Sequence, residues 1–231
     1  EKYDEISALI HSVGKPFVEP LLDRLAEEEN RTVRRYCLEQ LIRLAEPAGE
    51  SVLARLDDSR WYVVRNLLII LRQSGNPDLA VHLRRVAGHP HPKVRHMVIE
   101  TYLHLRDPEG DRLLLDDLAS ADKVARSYAI QLAEKSVHPD IVTALLQILQ
   151  QKGTSPDSAA EKKAAIRSLA AIGDPRSLVV LDKILNKRSL FRSSFYLSLK
   201  REIVQTLVKY RDPSALKLLG KMAEARNREL S

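Results

Sequence analysis

The chain has 231 residues, of which 44% are hydrophobic and 29% charged, a normal balance for a soluble protein. No apolar run approaches the roughly 20 residues that a membrane-spanning helix needs, and the single cysteine excludes an internal disulfide framework and suits a cytoplasmic protein. The net charge of +6 is uneven: residues 1–60 carry 9 basic and 13 acidic residues (−4), whereas residues 186–231 carry 11 and 4 (+7). The basic end either suits an acidic partner or is simply a solvated face.

Seven prolines recur at a near-constant spacing. They are Pro16, Pro47, Pro77, Pro108, Pro139, Pro175 and Pro213, with steps of 31, 30, 31, 31, 36 and 38 residues. A leucine follows each of them six residues later: Leu22, Leu53, Leu83, Leu114, Leu145, Leu181 and Leu219. A fixed period of this size is typical of a repeat protein. Because stacked repeats form long continuous surfaces and seldom enclose a catalytic pocket, we expect no enzymatic activity.

Each repeat is predicted to contain two helices. Helix A should begin at the proline, since the missing N–H of proline costs nothing at the first helical position. Apolar residues recur three, six and nine positions after it, and we expect five of the leucines at six to form one buried spine: Leu53, Leu83, Leu114, Leu145 and Leu181. Upstream of each proline, apolar residues recur at 14, 10, 9 and 6 positions, which traces one face of a second helix, B. No segment alternates with period two, so no sheet is predicted.

Both ends of the chain fall in the middle of a repeat. Residues 2–13 fit a helix B, with Ile6 and Ile10 on its apolar face, and residues 213–227 fit a helix A. We therefore expect residues 1–231 to form a single array, starting in the second helix of one repeat and ending after the first helix of another. This phase, and a first residue that is not Met, favour a fragment of a longer protein.

Short motifs at the corners resemble those of a known family. They are Val33-Arg34, Val94-Arg95, Gly173-Asp174-Pro175, Arg211-Asp212-Pro213 and the segment from His89 to Arg95. They are similar to HEAT-type repeats, above all to the short variety of phycobilisome-lyase-like proteins, whose Asp-Pro-Asp-Pro-x-Val-Arg turn appears here with histidines in place of both aspartates. The repeat near 155–175 departs from the pattern, with Glu161-Lys162 in place of Val-Arg. The resemblance implies an all-α, right-handed α-solenoid of about fourteen antiparallel helices.

Basic residues occupy two adjacent offsets at the start of helix B. The first offset carries Arg34, Arg95, Arg126, Lys162 and Lys200, and the second carries Arg35, Arg65, His96, Lys163 and Arg201. The resemblance implies that the first-offset residue bonds to an acidic or carbonyl group in the adjoining corner, which suits a planar guanidinium. The second offset should face solvent. Our candidates for contacting an acidic partner are its members Arg35, Arg65, Lys163 and Arg201.

Two of the proline steps are long, and insertions in repeat proteins often carry function. The first, 151–158, is predicted to be a longer loop, with Ser155 as N-cap and Pro156 as the first residue of a longer helix B. The second, 187–198, interleaves basic and aromatic residues: Lys187, Arg188, Phe191, Arg192, Phe195 and Tyr196.

The second insertion allows two interpretations. Arginine and aromatic side chains dominate binding hot spots, so we predict a partner site with Arg188 and Arg192 as charged contacts and Tyr196 as aromatic anchor. In this arrangement the two phenylalanines are buried and hold the segment in place. The alternative is that the phenylalanines, spaced four residues apart and four from Leu199, only extend the buried stripe of the last helix B.

No motif predicts an enzyme, a metal site or a cofactor. His89, His91, His96 and His104 cluster in sequence, but the last two are roughly 12 Å apart along a helix and no cysteine lies near to complete a zinc site. No glycine-rich phosphate loop or nucleophile motif is present. Trp61 and Tyr62, adjacent in one A–B turn, are either a packing pair or an exposed anchor.

These patterns predict a non-enzymatic scaffold or adaptor that binds another protein on a concave face lined by helix B, and an acidic partner is one option. The alternative is a nucleic-acid-binding protein that uses the basic helix rows and the basic C-terminal segment, as the architecture of HEAT-like alkylpurine DNA glycosylases implies. A third option, a lyase or lyase chaperone acting on a bilin, follows only from the resemblance. We expect no cofactor and no membrane partner, and either a monomer or a fusion to an upstream domain.

Overall fold

The computed structural model describes residues 2–187 and 193–220, and all the regular structure in these ranges is helical. The α-helices are α1 (Lys2–Val13), α2 (Val18–Glu27), α3 (Arg31–Arg43), α4 (Ala45–Ala54), α5 (Trp61–Ser74), α6 (Ala80–Ala87), α7 (Pro92–His104), α8 (Pro108–Ala119), α9 (Lys123–Leu132), α10 (Pro139–Gln150), α11 (Pro156–Ile172), α12 (Arg176–Leu185), α13 (Ser193–Leu207) and α14 (213–220). Short 3-10 turns occupy Lys15–Phe17, Pro77–Leu79 and Ala133–Lys135. The predicted all-α class with about fourteen helices is confirmed.

The helices group into two compact units, one up to Leu113 and one from Leu114 onward. In the first unit the B helices α1, α3, α5 and α7 pack on one another in succession. The A helices α2, α4 and α6 each pack on the B helix that follows, and α2 also packs on α4. This succession of helix pairs is the packing of an α-solenoid.

The second unit follows the same plan. Its B helices α9, α11 and α13 pack in succession, α10 packs on α11 and α12, and α12 packs on α13. The right-handed sense and a single array over residues 1–231 stay predictions. None of the helices in the described ranges is both long and apolar enough to cross a lipid bilayer.

The leucine spine is buried at four of its five predicted positions: Leu83, Leu114, Leu145 and Leu181. Leu22, at the same position of an earlier repeat, is buried as well. Leu53 is only half-buried, contrary to the prediction, and α4 begins at Ala45, two residues before its proline. The buried stripe of α4 runs one residue early, through Val52, and one residue corresponds to a rotation of about 100° around the helix axis. In α14 the buried stripe likewise runs one residue early, through Ala215 and Leu218.

The apolar faces of the B helices are buried as predicted at most positions. Val33, Leu38 and Val204 are half-buried, and one residue at the start of the chain is exposed. Ile10 of α1 is buried, but Ile6 is exposed. Among the described helices, α1 packs mainly on α3, so only part of its apolar face is covered.

Helix ends follow the predicted chemistry. Ser155 caps α11 by accepting a hydrogen bond from the backbone N–H of Ser158, and Pro156 is the first helical residue. Gly75 and Gly173 end α5 and α11 in the left-handed region, at φ 63° and 74°, where glycine has no steric penalty. The long repeat around α11 is therefore a longer helix preceded by a loop, as the sequence indicated.

Candidate functional site

The first-offset basic residues bond to the corners of their own unit. Arg95 donates to the backbone oxygens of His89 and Pro90, both at 2.8 Å. Arg126 pairs with Glu161 and donates to the backbone oxygen of Ser120. The predicted structural role of this offset is confirmed at these residues.

The second-offset residues differ from one another in exposure. The Arg35 side chain is 81% exposed and pairs with Glu39 at 2.8 Å, and Arg201 is also exposed. Arg65 and Lys163 are half-buried, so the prediction of a uniformly solvent-facing row is wrong at these two positions. The burial periodicity of the helix explains this, because both follow a fully or largely buried neighbour on the same turn.

An open groove lies between α3 and α5 in the first unit. We call it the aromatic–arginine groove; it is lined by Arg31, Arg34, Arg35, Leu38, Trp61, Tyr62 and Asn66. The Arg34 guanidinium lies 6.0 Å from the centre of the Tyr62 ring, within the range of a cation–π contact. Trp61 meets Tyr62 edge to face, with ring centroids 6.1 Å apart. One predicted contact residue, Arg35, therefore lies beside two aromatic rings that the sequence did not connect with it.

Two residues at the start of α7 also hold the Trp61 ring in place. Its ring stacks on His91, with centroids 4.0 Å apart, and the Lys93 ammonium nitrogen lies 5.2 Å from its centre. Trp61 is half-buried. The packing interpretation of Trp61 is therefore confirmed. The residue also lines the aromatic–arginine groove, and its role as an anchor stays a prediction.

A second concave site lies in the second unit. We call it the lysine pocket, and its volume is roughly 620 Å³. Residues Gln150–Thr154 and an apolar wall form part of its lining. The rest of the lining consists of four lysines and two aromatic residues: Lys152, Lys162, Lys183, Lys187, Phe195 and Tyr196. Both insertions of the sequence border it, since the first supplies the loop and the second supplies Lys187 and the two rings. The sequence did not predict that these insertions meet.

The lysine pocket holds a buried cation. Lys162 is 6% exposed, and its ammonium group donates to the backbone oxygen of Gln151 at 2.5 Å. Burial lowers the pKa of Lys162, and the nearby charge of Lys187 lowers it further, whereas Tyr196 and Glu161 oppose the shift. Lys162 also lies 5.8 Å from the centre of the Phe195 ring. A lysine held in this way is typical of functional sites.

The rim of the pocket carries Tyr196, whose role as an aromatic anchor stays a prediction. Tyr196 is half-buried, meets Phe195 edge to face at 5.2 Å, and has the Lys187 ammonium nitrogen 4.9 Å from its ring centre. Phe195 and Leu199 are buried, so the segment also extends the stripe of α13, as the alternative stated. Arg188, Arg192 and Phe191 lie outside the described residues. In the described ranges, no group of three metal-ligating side chains occurs.

Comparison with known proteins gives a match to one repeat. No curated protein matches the chain in sequence. The family model described as PBS lyase HEAT-like repeat matches residues 162–187, which cover most of α11, the corner at Gly173 and α12. This is the repeat that departs from the family at Glu161-Lys162, and its corner carries the resemblance. The match and the consecutive packing of helix pairs together support the HEAT-like repeat family for this chain.

Proposed function

We propose that the protein is a non-enzymatic HEAT-like scaffold that binds a partner protein through the aromatic–arginine groove. The observation that carries this proposal is the composition of the groove, which gathers Trp61, Tyr62 and three arginines on two adjacent helices. Trp, Tyr and Arg are the residue types most enriched in binding hot spots. HEAT-like repeats present extended surfaces of this kind for association.

Binding of a partner in the groove costs little free energy, in either side-chain entropy or lost contacts. Its aromatic rings are held by stacking and edge contacts, so their ordering costs little entropy on binding. Within the described part of the chain Arg35 pairs with Glu39, whose side chain is 50% exposed, and such surface pairs contribute about 0–1 kcal/mol. A carboxylate of the partner can therefore replace Glu39 at small cost, which favours an acidic partner segment.

The test is capture of a partner by matched variants of the whole chain. The bait variants are Arg35→Glu and Trp61→Ala, and the control is Arg43→Glu, an exposed arginine on the same helix outside the groove. Cross-linked proteins retained by the wild type and the control but lost from both groove variants are purified. Their affinity for each variant is then measured by calorimetric titration, because Trp61→Ala removes the only tryptophan of the chain and with it a fluorescence signal. Purified candidates that bind the groove variants as tightly as the wild type would contradict the proposal.

Nucleic acid is the alternative occupant. Titration with duplex and single-stranded DNA at two salt concentrations distinguishes it, because affinity from phosphate contacts falls steeply with salt through counterion release. The proposal predicts no saturable DNA binding that depends on Arg35, Arg65, Lys163 or Arg201. DNA binding that is lost when these residues are reversed in charge would replace the protein partner with a nucleic acid.

A further inference from the structure

The lysine pocket has a charge imbalance that the packing of the second unit does not require. Four lysines line it, and among the described residues no aspartate or glutamate does. We propose that this pocket binds an organic phosphate monoester, with the phosphate against Lys162 and Lys187 and its carrier group against Tyr196. The site lies in the second unit and its argument is independent of the aromatic–arginine groove.

Part of the lysine charge has a structural use. Lys162 bonds to the oxygen of Gln151, the C-cap residue of α10, and Lys183 lies in the last turn of α12. Cations are favourable there because the C-terminal end of a helix carries roughly −0.5 of an elementary charge. Two such ends offset only part of the four positive charges, and Glu161, which also acts on Lys162, is already paired with Arg126, so a positive excess remains. A phosphate monoester carries close to two negative charges at neutral pH and suits this excess better than a single carboxylate.

Lys162 makes the strongest case for a ligand. A lysine at a surface is hydrated, but Lys162 is buried, and within the described ranges its ammonium group donates to the backbone oxygen of Gln151. An ammonium group has three donors, and the carboxylate that acts on Lys162, Glu161, is already paired with Arg126. Burial of a charge that is only partly compensated is costly. An anion in the pocket would supply both the counter-charge and further acceptors. Lysine is a common ligand of phosphate, where it acts as a compact point charge.

The remaining lining indicates more than inorganic phosphate. The pocket volume of roughly 620 Å³ falls within the range of small-molecule sites, about 300–1,000 Å³. Beside the lysines stand Phe195, Tyr196 and an apolar wall that includes Val180, Ile184 and Leu199. Such a wall stabilises an apolar or aromatic carrier, since the two rings are already ordered by their edge-to-face contact.

The test is calorimetric titration of the whole chain with phenyl phosphate, inorganic phosphate and phenol at one ionic strength. We expect saturable binding of phenyl phosphate, weaker binding of inorganic phosphate and none of phenol. Lys187→Gln and Lys162→Met should each weaken phenyl phosphate about tenfold or more, the effect of losing one charge-assisted contact. The control is Lys209→Gln, an exposed lysine of the same unit outside the pocket, and it should stay within about twofold.

Several outcomes would overturn the proposal. Phenyl phosphate that gives no saturable heat, or that binds both pocket variants as tightly as the wild type, excludes the phosphate site. Phenol that binds as well as phenyl phosphate, or inorganic phosphate that binds as tightly, excludes the ester with its carrier on Tyr196. Because Lys162→Met also removes the bond to Gln151, thermal unfolding is measured for each variant. If that variant does not fold, a Lys183→Gln, Lys187→Gln double variant takes its place.

Discussion

His91 and Trp61 stack face to face, with ring centroids 4.0 Å apart and planes inclined by 2°. His91 is the N-cap of α7 and Trp61 is the first residue of α5, so the contact joins the starts of two successive B helices. Nδ1 of His91 also accepts a hydrogen bond from the backbone N–H of Lys93, and His89 accepts from His91 in the same way. The imidazole thus supplies the acceptor that a capping aspartate would, and adds a flat surface for Trp61.

Replacement of His91 separates these two roles. His91→Ala removes both the cap and the stack, and we expect the free energy of unfolding to fall by about 0.5–2 kcal/mol, as for the loss of an N-cap. His91→Asp restores the cap without the ring, so it should recover most of that stability but leave Trp61 more mobile. Urea unfolding followed by Trp61 fluorescence measures both effects. Equal stability of the Ala variant and the wild type would show that neither contact stabilises the corner.

The same corner should respond to acid. Burial lowers the pKa of His91, and the charges of Lys93, His89 and Arg95 lower it further. The folded state therefore takes up its proton at a lower pH than the unfolded state, whose histidine titrates near 6.5. Below about pH 6.5 the unfolded chain binds more protons at this position, so the free energy of unfolding should decrease as the pH falls. NMR titration of the His91 ring gives its pKa directly, and the decrease attributable to His91 should be absent in His91→Asp.

The sequence predicted the fold well because the period of the prolines and the apolar stripes repeat the same packing in every unit. It failed at Leu53, where the helix starts before its proline and the burial register moves by one residue. The aromatic–arginine groove and the lysine pocket were harder to predict, because each brings together residues from different helices whose spacing follows no motif. The pocket did have a signal, since both breaks in the period, at 151–158 and 187–198, border it.

The leucine spine gives a matched test of the register. Leu114 is 0% exposed, whereas Leu53 occupies the equivalent position six residues after a proline but is only half-buried. Leu114→Ala should lower the free energy of unfolding by about 2–5 kcal/mol, the cost of truncating a buried leucine. Leu53→Ala should cost clearly less, because less apolar surface is lost and less of a cavity forms. Chemical denaturation measures the free energy of unfolding of both variants, and equal losses would contradict the observed register.

The first-offset residue Arg126 should contribute more to stability than the second-offset residue Arg35. The Arg126 and Glu161 side chains are only 16% and 21% exposed, and Arg126 also donates to the backbone oxygen of Ser120. Arg126→Ala leaves a partly buried carboxylate without its partner, and we expect a loss of about 1–3 kcal/mol. Arg35→Ala removes a pair whose arginine is 81% exposed, so stability should change by no more than about 0.5 kcal/mol.

Binding should show the reverse order: Arg35→Ala weakens capture of the partner, whereas Arg126→Ala acts only through stability. Urea unfolding and partner affinity measured on the same two variants separate these effects, and an Arg35 variant that loses stability without losing affinity would assign the second offset a structural role as well.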